Sequence, residues 1–180
     1  MAVQIVYETH SISVDNERGI ATGWLPGELS DEGRRLARSL GQRRQDEGID
    51  AVLTSDLGRA VDTCQVAFGA TGPPVTQDQR LRECNYGELN GALVEALLPR
   101  ARFIDMPFPG GQSYRDVVDQ TRDLLDDIGT RFDGGRLLIV AHSANRWVLQ
   151  CLLDGARLED LVDAPFEWQP GWEFRLPSGS

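Results

Sequence analysis

The chain has 180 residues, a formal net charge of −10 at pH 7 and 41% hydrophobic residues. This length suffices to bury one core, so we expect a single domain over residues 1–180. The acidic charge argues against nucleic-acid binding, and no apolar run approaches the roughly 20 residues that span a bilayer. The N-terminus lacks the basic start of a signal peptide, and the three widely spaced cysteines are expected to be reduced, so we expect a cytoplasmic protein.

Strand and helix patterns alternate along the chain. In chain order the sequence predicts a strand at 3–7, a loop at 11–29, a helix at 31–47, a strand at 51–54, a helix at 56–68 and a brief strand at 75–76. A short helix at 93–101, a helix at 113–131, a strand at 137–141, a helix at 145–153 and a strand at 172–176 follow. Ser30 is the expected N-cap of the first helix, and Gly48 its expected stop. The alternation predicts an α/β fold, a three-layer sandwich whose mainly parallel sheet has helices on both faces.

The chain has only two histidines, and each follows a predicted strand: His10 after the first and His142 after 137–141. Open α/β sheets bind ligands outside the carboxyl ends of their strands, so both imidazoles are expected at one crevice. Histidine acts as a nucleophile or a general acid/base near neutral pH. The alternative is that each histidine is structural.

All 18 basic residues are arginine. Any clamp for phosphate or carboxylate in this chain must therefore be built from arginine, backbone amides or imidazole.

Motifs lie in the loops after the predicted strands. They comprise T-H-S-I-S-V-D-N at 9–16, S-D-L-G-R-A-V-D-T at 55–63, L-R-E-C-N-Y-G-E-L-N-G at 81–91, F-P-G-G-Q-S-Y at 108–114 and V-A-H-S at 140–143. Together, in this order and spacing over residues 3 to 153, they resemble the histidine phosphatase superfamily, the phosphoglycerate-mutase-like fold. Each motif alone is weak evidence for this resemblance, whereas the complete set is specific.

The resemblance implies a mechanism without metal or cofactor. His10 would attack phosphorus, Glu83 would be the general acid and then the base, and Arg59 and His142 would hold the phosphoryl oxygens. Ser13 and Asn16 would supply neutral donors at the pocket edge, where Thr9 and Ser143 are also expected to contact substrate. Without the resemblance, we would interpret Glu83 as a solvated loop carboxylate and Arg59 as a surface charge.

Four positions depart from the family pattern. The arginine before the nucleophile is Thr9, the glycines after the two histidines are Ser11 and Ser143, and the glutamate of the fourth motif is Gln112. Because a charge-assisted hydrogen bond contributes roughly 1.5–3 kcal/mol, the loss of that arginine predicts phosphoryl transfer slower by about one to two decades.

Two other arginines are candidates to replace the missing guanidinium. Arg18 lies two residues beyond Asn16, and Arg146 lies one helical turn after His142. The alternative is that both are surface arginines.

Three functions follow. The first is a metal-independent phosphatase acting on a small phosphorylated metabolite through a phosphohistidine on His10. The second is a non-catalytic domain that binds a phosphate ligand or regulates. The third, ranked last because mutases of the family are longer, is a phosphoglycerate mutase. The expected partner is a small phosphorylated substrate, with no nucleic acid and no membrane; the motifs specify neither the substrate nor the oligomeric state.

Overall fold

A computed structural model describes residues 1–177. Its main sheet has five strands in the order β4-β3-β6-β1-β7, and every neighbouring pair is parallel except β1 and β7. The strands of this sheet are β1 (Val3–Thr9), β3 (Ala51–Thr54), β4 (Val75–Gln77), β6 (Arg136–Ala141) and β7 (Trp172–Leu176). A separate pair is formed by β2 (Ile20–Ala21) and β5 (Ala92–Leu93).

Helices cover both faces of the sheet, which confirms the predicted sandwich. They are α1 (Val14–Glu17), α2 (Asp31–Arg44), α3 (Gly58–Phe68), α4 (Tyr114–Arg131), α5 (Ser143–Asp154) and α6 (Leu158–Leu161). The residues of the sheet alternate between the two faces. Val6, Val52 and Leu138 pack with Leu40 of α2 and Cys64 of α3, whereas Ile5, Tyr7 and Leu137 pack with Leu124 of α4 and Leu149 of α5.

The pairing of β1 with β6 brings the two histidines together. Thr9, the last residue of β1, is in register with Ala141, the last residue of β6, and the N–H of His10 donates to the carbonyl of Ala141 at 2.8 Å. His10 and His142 therefore leave adjacent parallel strands at the same level, at the carboxyl edge of the sheet.

The N-terminal caps hold the helices at this edge. Ser30 caps α2 by accepting from the N–H of Gly33, and Ser113 caps α4 in a capping box with Asp116. Such caps typically contribute about 1 kcal/mol each.

Three helix boundaries differ from the sequence prediction by two or three residues; one is the start of α5, at Ser143 instead of 145. Helix α2 ends at Arg44 instead of residue 47, because the N–H of Glu47 donates to the carbonyl of Arg44 in a tighter turn and Gly48 has a positive φ of 65°. Helix α3 begins at Gly58 instead of 56, because the Asp56 carboxylate is bound by Arg82 and the N–H of Leu57 donates to Ser55 Oγ.

Two predicted segments have different secondary structure. The expected loop at 11–29 contains α1 and β2. The helix predicted over 93–101 is replaced by two 3₁₀ turns, Val94–Leu97 and Arg100–Phe103. Pro99 separates them, since it has no N–H to donate and disfavours helical backbone at the preceding residue. Within residues 1–177, none of the helices combines the length and apolar character needed to cross a bilayer.

Candidate active site

His10 presents an unprotonated nitrogen to the site. Its Nδ1 lies 2.7 Å from the carbonyl oxygen of Ser11, and its Nε2 lies 3.3 Å from Nε of Arg59. A carbonyl only accepts and a guanidinium only donates, so Nδ1 carries the proton and Nε2 the lone pair. Burial, and then the charge of Arg59, lower the pKa of His10 from 6.5 to about 3. His10 is therefore a neutral imidazole at physiological pH, with Nε2 as its nucleophilic atom.

His142 lies beside His10, with ring centroids 5.1 Å apart. It is fully buried, and its Nε2 lies 2.7 Å from Ser55 Oγ. Ser55 Oγ also accepts from the N–H of Leu57, so the same hydroxyl contacts the ring of His142 and the backbone that leads into α3. Burial, and then the charges of Arg59 and His10, hold the pKa of His142 well below its usual range, so it is a neutral imidazole.

Arg59 sits in the first turn of α3, and only 3% of it is exposed. Its Nη2 donates to the carbonyl of Gly23 at 2.9 Å and its Nε to His10, while Nη1 is buried without a partner. Burial lowers the pKa of Arg59, and the charge of Glu83 opposes that shift. A buried guanidinium with an unused N–H beside a nucleophile is suited to hold a phosphoryl oxygen.

Glu83 is the buried carboxyl of the site. Its Oε1 accepts from the N–H of Cys84 at 2.8 Å, and the backbone of Ala144 also donates to the carboxyl. Burial raises the pKa of Glu83 above 4.5, although these hydrogen bonds and the charge of Arg59 work against the shift. A raised pKa favours the protonated form that a general acid needs.

A cavity of about 890 Å³ opens onto three of these four groups, whereas His142 is fully buried behind its wall. His10, Arg59 and Glu83 line it, together with apolar side chains from α2, from the 3₁₀ turn Val94–Leu97 and from the segment 162–168. Such a volume accommodates a small organic phosphate.

Thr9, Ser143 and Arg146 also line this cavity. Arg146 lies over the rings of Trp172 and Phe166, at 4.6 and 5.5 Å from their centroids, and it neighbours Tyr7. The structure thus brings Arg146 to the cavity wall, but its guanidinium stacks on these rings and makes no hydrogen bond to either imidazole.

The segment 13–18 departs in part from what the sequence predicts. Asn16 lines the cavity, but Ser13 is fully buried and is not part of the wall, because its hydroxyl accepts from the N–H of Asn16 and caps α1. Arg18 is exposed at the end of α1, outside the cavity lining. The structure therefore does not place Arg18 where the missing guanidinium would act.

Several positioning residues were not assigned roles from the sequence. Thr63 Oγ1 accepts from the N–H of Ser11 at 3.0 Å and donates to the carbonyl of Arg59 at 2.7 Å, so it joins the nucleophile loop to α3. Asn145 accepts from the N–H of His142 and donates to the carbonyl of Arg82, which links the loops of His142 and Glu83. Ser55 and Thr63 are part of the second motif, which is the signal that points to them.

Two aromatic residues complete this support. The indole N–H of Trp24 donates to the carbonyl of Glu83 at 2.6 Å. The hydroxyl of Tyr7 donates to the carbonyl of His142. Among residues 1–177, no group of three or more His, Cys, Asp or Glu side chains is placed to hold a metal ion.

The carboxyl edge of the mainly parallel sheet thus carries paired imidazoles and a buried arginine, an arrangement suited to binding a phosphoryl group. The model of the histidine phosphatase superfamily (branch 1) matches residues 8–168. The chain belongs to this superfamily.

Relatives carry both mutase and phosphatase names. The chain is 30% identical over 178 residues to a 2,3-bisphosphoglycerate-dependent phosphoglycerate mutase of Allorhizobium ampelinum, covering 90% of this chain and 84% of that protein. It is 26% identical over 165 residues to phosphoserine phosphatase 1 of Hydrogenobacter thermophilus, covering 87% and 78%.

Solved structures of the superfamily share the fold. YhfR of Bacillus stearothermophilus superposes with a TM-score of 0.81 at 25% identity, over 93% of this chain and 88% of that one. A mycobacterial glucosyl-3-phosphoglycerate phosphatase superposes with a TM-score of 0.77 at 25% identity, over 89% and 84%. Together the relatives and the family support a phosphatase kind of activity.

Proposed function

We propose that this protein is a metal-independent phosphatase that hydrolyses a small phosphorylated metabolite through a phosphohistidine on His10. The observation that carries the proposal is the hydrogen bonding of His10: Nδ1 donates to a carbonyl, so the lone pair of Nε2 is available beside Arg59. Phosphatase-named relatives support the choice of reaction.

In the first step, His10 Nε2 attacks phosphorus and the bond from phosphorus to the leaving oxygen breaks. Protonated Glu83 gives its proton to that oxygen, so a neutral alcohol departs. Arg59 Nη1, buried and unpartnered within residues 1–177, and the neutral imidazole of His142 would offset charge on the phosphoryl oxygens.

In the second step, the Glu83 carboxylate takes a proton from water as the water oxygen attacks phosphorus. The P–N bond breaks, inorganic phosphate leaves and Glu83 is protonated again. Splitting the transfer in two lowers each barrier, and no other reactant is required.

The net charge of −10 supports a small substrate instead of a nucleic acid. The free thiols of Cys64, Cys84 and Cys151 support our proposal of a cytoplasmic location.

The test is a screen of phosphate esters that runs the wild type beside the His10→Ala variant. We expect phosphate release that survives EDTA, and a phosphate adduct in the intact mass after an acid-free quench that His10→Ala lacks. Conversion of 3-phosphoglycerate to its 2-phospho isomer without net phosphate release would indicate a mutase. Tight phosphate-ester binding without turnover would indicate the non-catalytic alternative.

A further inference from the structure

Four arginines line the cavity. Arg59 bonds His10 and Gly23, and Arg43 bonds Glu8. The Arg146 guanidinium makes no hydrogen bond within residues 1–177, but it stacks on Phe166 and Trp172. The fourth is Arg100, which stacks on no aromatic ring within the described part of the chain. Its guanidinium makes no hydrogen bond and no ion pair within residues 1–177, and its Nε is buried without a partner.

An unpaired buried N–H is uncommon in native proteins, because losing its hydrogen bonds to water costs free energy. Within residues 1–177, nine of the 18 arginines form ion pairs with carboxylates, so an unused guanidinium in a cavity wall is available to an anion from outside the chain.

The backbone holds Arg100 in place. The carboxylate of Asp163 accepts from the N–H groups of Arg100 and Ala101, at 2.7 and 3.0 Å. Asp163 therefore anchors the 3₁₀ turn Arg100–Phe103, and no ion pair joins its carboxylate to the guanidinium. The side chain is thus carried on a fixed backbone, while its donors stay available.

Arg100 also lies on the Glu83 side of the cavity. Both residues line the same space, and the charge of Arg100 acts on the Glu83 carboxyl and on the neighbouring hydroxyls of Tyr86 and Tyr114. In the proposed reaction the leaving oxygen must reach Glu83 to receive its proton. The rest of the leaving group therefore extends along the wall that carries Arg100.

We propose that Arg100 is a specificity-determining residue that binds a second anionic group, a carboxylate or a second phosphate, on the leaving group of the substrate. A guanidinium fork pairs with two oxygens of either group. The assignment rests on the phosphatase proposal, since that reaction defines which side of the cavity holds the leaving group.

The first test measures binding in the His10→Ala background, where no phosphohistidine forms. Calorimetry compares 3-phosphoglycerate with glycerol 3-phosphate for the carboxylate, and fructose 1,6-bisphosphate with fructose 6-phosphate for the second phosphate. We expect the ester with the extra anion to bind about 10-fold or more tightly in at least one pair. The pair that shows the preference identifies the anion.

Arg100→Gln should abolish this preference, and Arg100→Lys should retain part of it. Arg102→Gln is the matched control: Arg102 is exposed on the same turn and lies over Phe103, outside the cavity lining, so the preference should persist. The absence of a preference in both pairs, its survival in Arg100→Gln or its equal loss in Arg102→Gln overturns the proposal. Thermal denaturation confirms that each variant is folded.

The second test uses the His10-containing enzyme and the ratio of kcat/KM between the members of the preferred pair. Arg100→Gln should lower that ratio about 10-fold, mainly through KM. If the enzyme hydrolyses neither ester, the phosphatase proposal is rejected, while the binding comparison still decides the role of Arg100. Hydrolysis of both esters with a ratio that Arg100→Gln leaves unchanged has the opposite meaning: the phosphatase proposal holds and the role of Arg100 is rejected.

Discussion

Ser55 Oγ lies 2.7 Å from His142 Nε2, although the two residues are 87 positions apart in the chain. The hydroxyl also accepts from the N–H of Leu57, so it holds the imidazole of His142 at a fixed position relative to the start of α3.

Ser55→Ala should therefore lower kcat by about 10-fold with little change in KM, because a misplaced imidazole would no longer offset charge that develops in the transition state. Steady-state hydrolysis of an aryl phosphate measures the effect, and the ring nitrogen shifts of His142 in NMR should change with the loss of the hydroxyl. Ser55→Thr should recover most of the rate. Ser39→Ala, which removes an exposed hydroxyl of α2, is the control and should match the wild type. A Ser55→Ala enzyme with unchanged kcat contradicts the role.

The pH dependence should reflect Glu83 on its alkaline side. Burial raises the pKa of Glu83 above 4.5, so the protonated acid persists at higher pH and kcat should fall as pH rises through that pKa. His10, with a pKa of about 3, stays neutral over the same range, so a loss of activity through protonation of His10 should appear only as the pH falls towards 3.

Glu83→Gln should remove that alkaline limb and lower kcat by about two decades or more, the usual contribution of a general acid. A pH–rate profile of the wild type and of Glu83→Gln on the same ester tests whether Glu83 causes the alkaline limb. An alkaline limb that remains in Glu83→Gln would assign the limb to another group. An aryl phosphate with a good leaving group should be the least affected substrate, because it needs the least protonation.

Thr9 offers a gain-of-function test. It lines the cavity next to His10, where the family pattern has arginine. Thr9→Arg should raise kcat/KM for an aryl phosphate by about 10-fold, which corresponds to about 1.4 kcal/mol of added transition-state stabilisation. The comparison variant is Arg146→Gln, since Arg146 stacks on aromatic rings of the same wall and should contribute less than Arg59. If Thr9→Arg lowers kcat/KM and Arg146→Gln is inactive, Arg146 already supplies the phosphate contact of the missing arginine.

The first turn of α2 supports the nucleophile loop through a glycine. A Cβ on Gly33 would lie 1.9 Å from the carbonyl oxygen of Ile12, so Gly33→Ala must displace the loop that follows His10. We expect a loss of about 1–3 kcal/mol in the free energy of unfolding, with lower activity.

Gly129→Ala is the matched control in α4, because its Cβ would meet only Leu176 at an ordinary 3.7 Å. Replacing a helix-interior glycine by alanine should stabilise the protein by about 0.5–1 kcal/mol and leave activity unchanged. Denaturant unfolding and phosphate release measure both variants, and equal stability of the two would contradict the close approach at Gly33.

The sequence alone predicts the sheet, its helices and the placement of both histidines. The reason is local: apolar runs of strand length, Ser caps and Gly stops act over a few residues, and the carboxyl ends of parallel strands share one edge. The same motifs point to Arg59 and Glu83, and the departure at Thr9 is visible in the sequence as well.

Only the tertiary structure decides which atoms of these residues are available. The ring of His142 contacts the hydroxyl of Ser55, and its backbone carbonyl accepts from Tyr7, 135 positions away. Neither distance nor direction between such residues follows from spacing along the chain.

The same limit explains which site residues the sequence misplaces or misses. The hydroxyl of Ser13 caps α1 and does not line the cavity, and Arg18 is exposed at the end of that helix. Arg100 enters the cavity from a segment that the sequence predicts as helix, because Pro99 breaks that helix and Asp163 anchors the following turn. Whether each of these residues lies at the cavity depends on long-range hydrogen bonds and burial, which arise only when the layers pack.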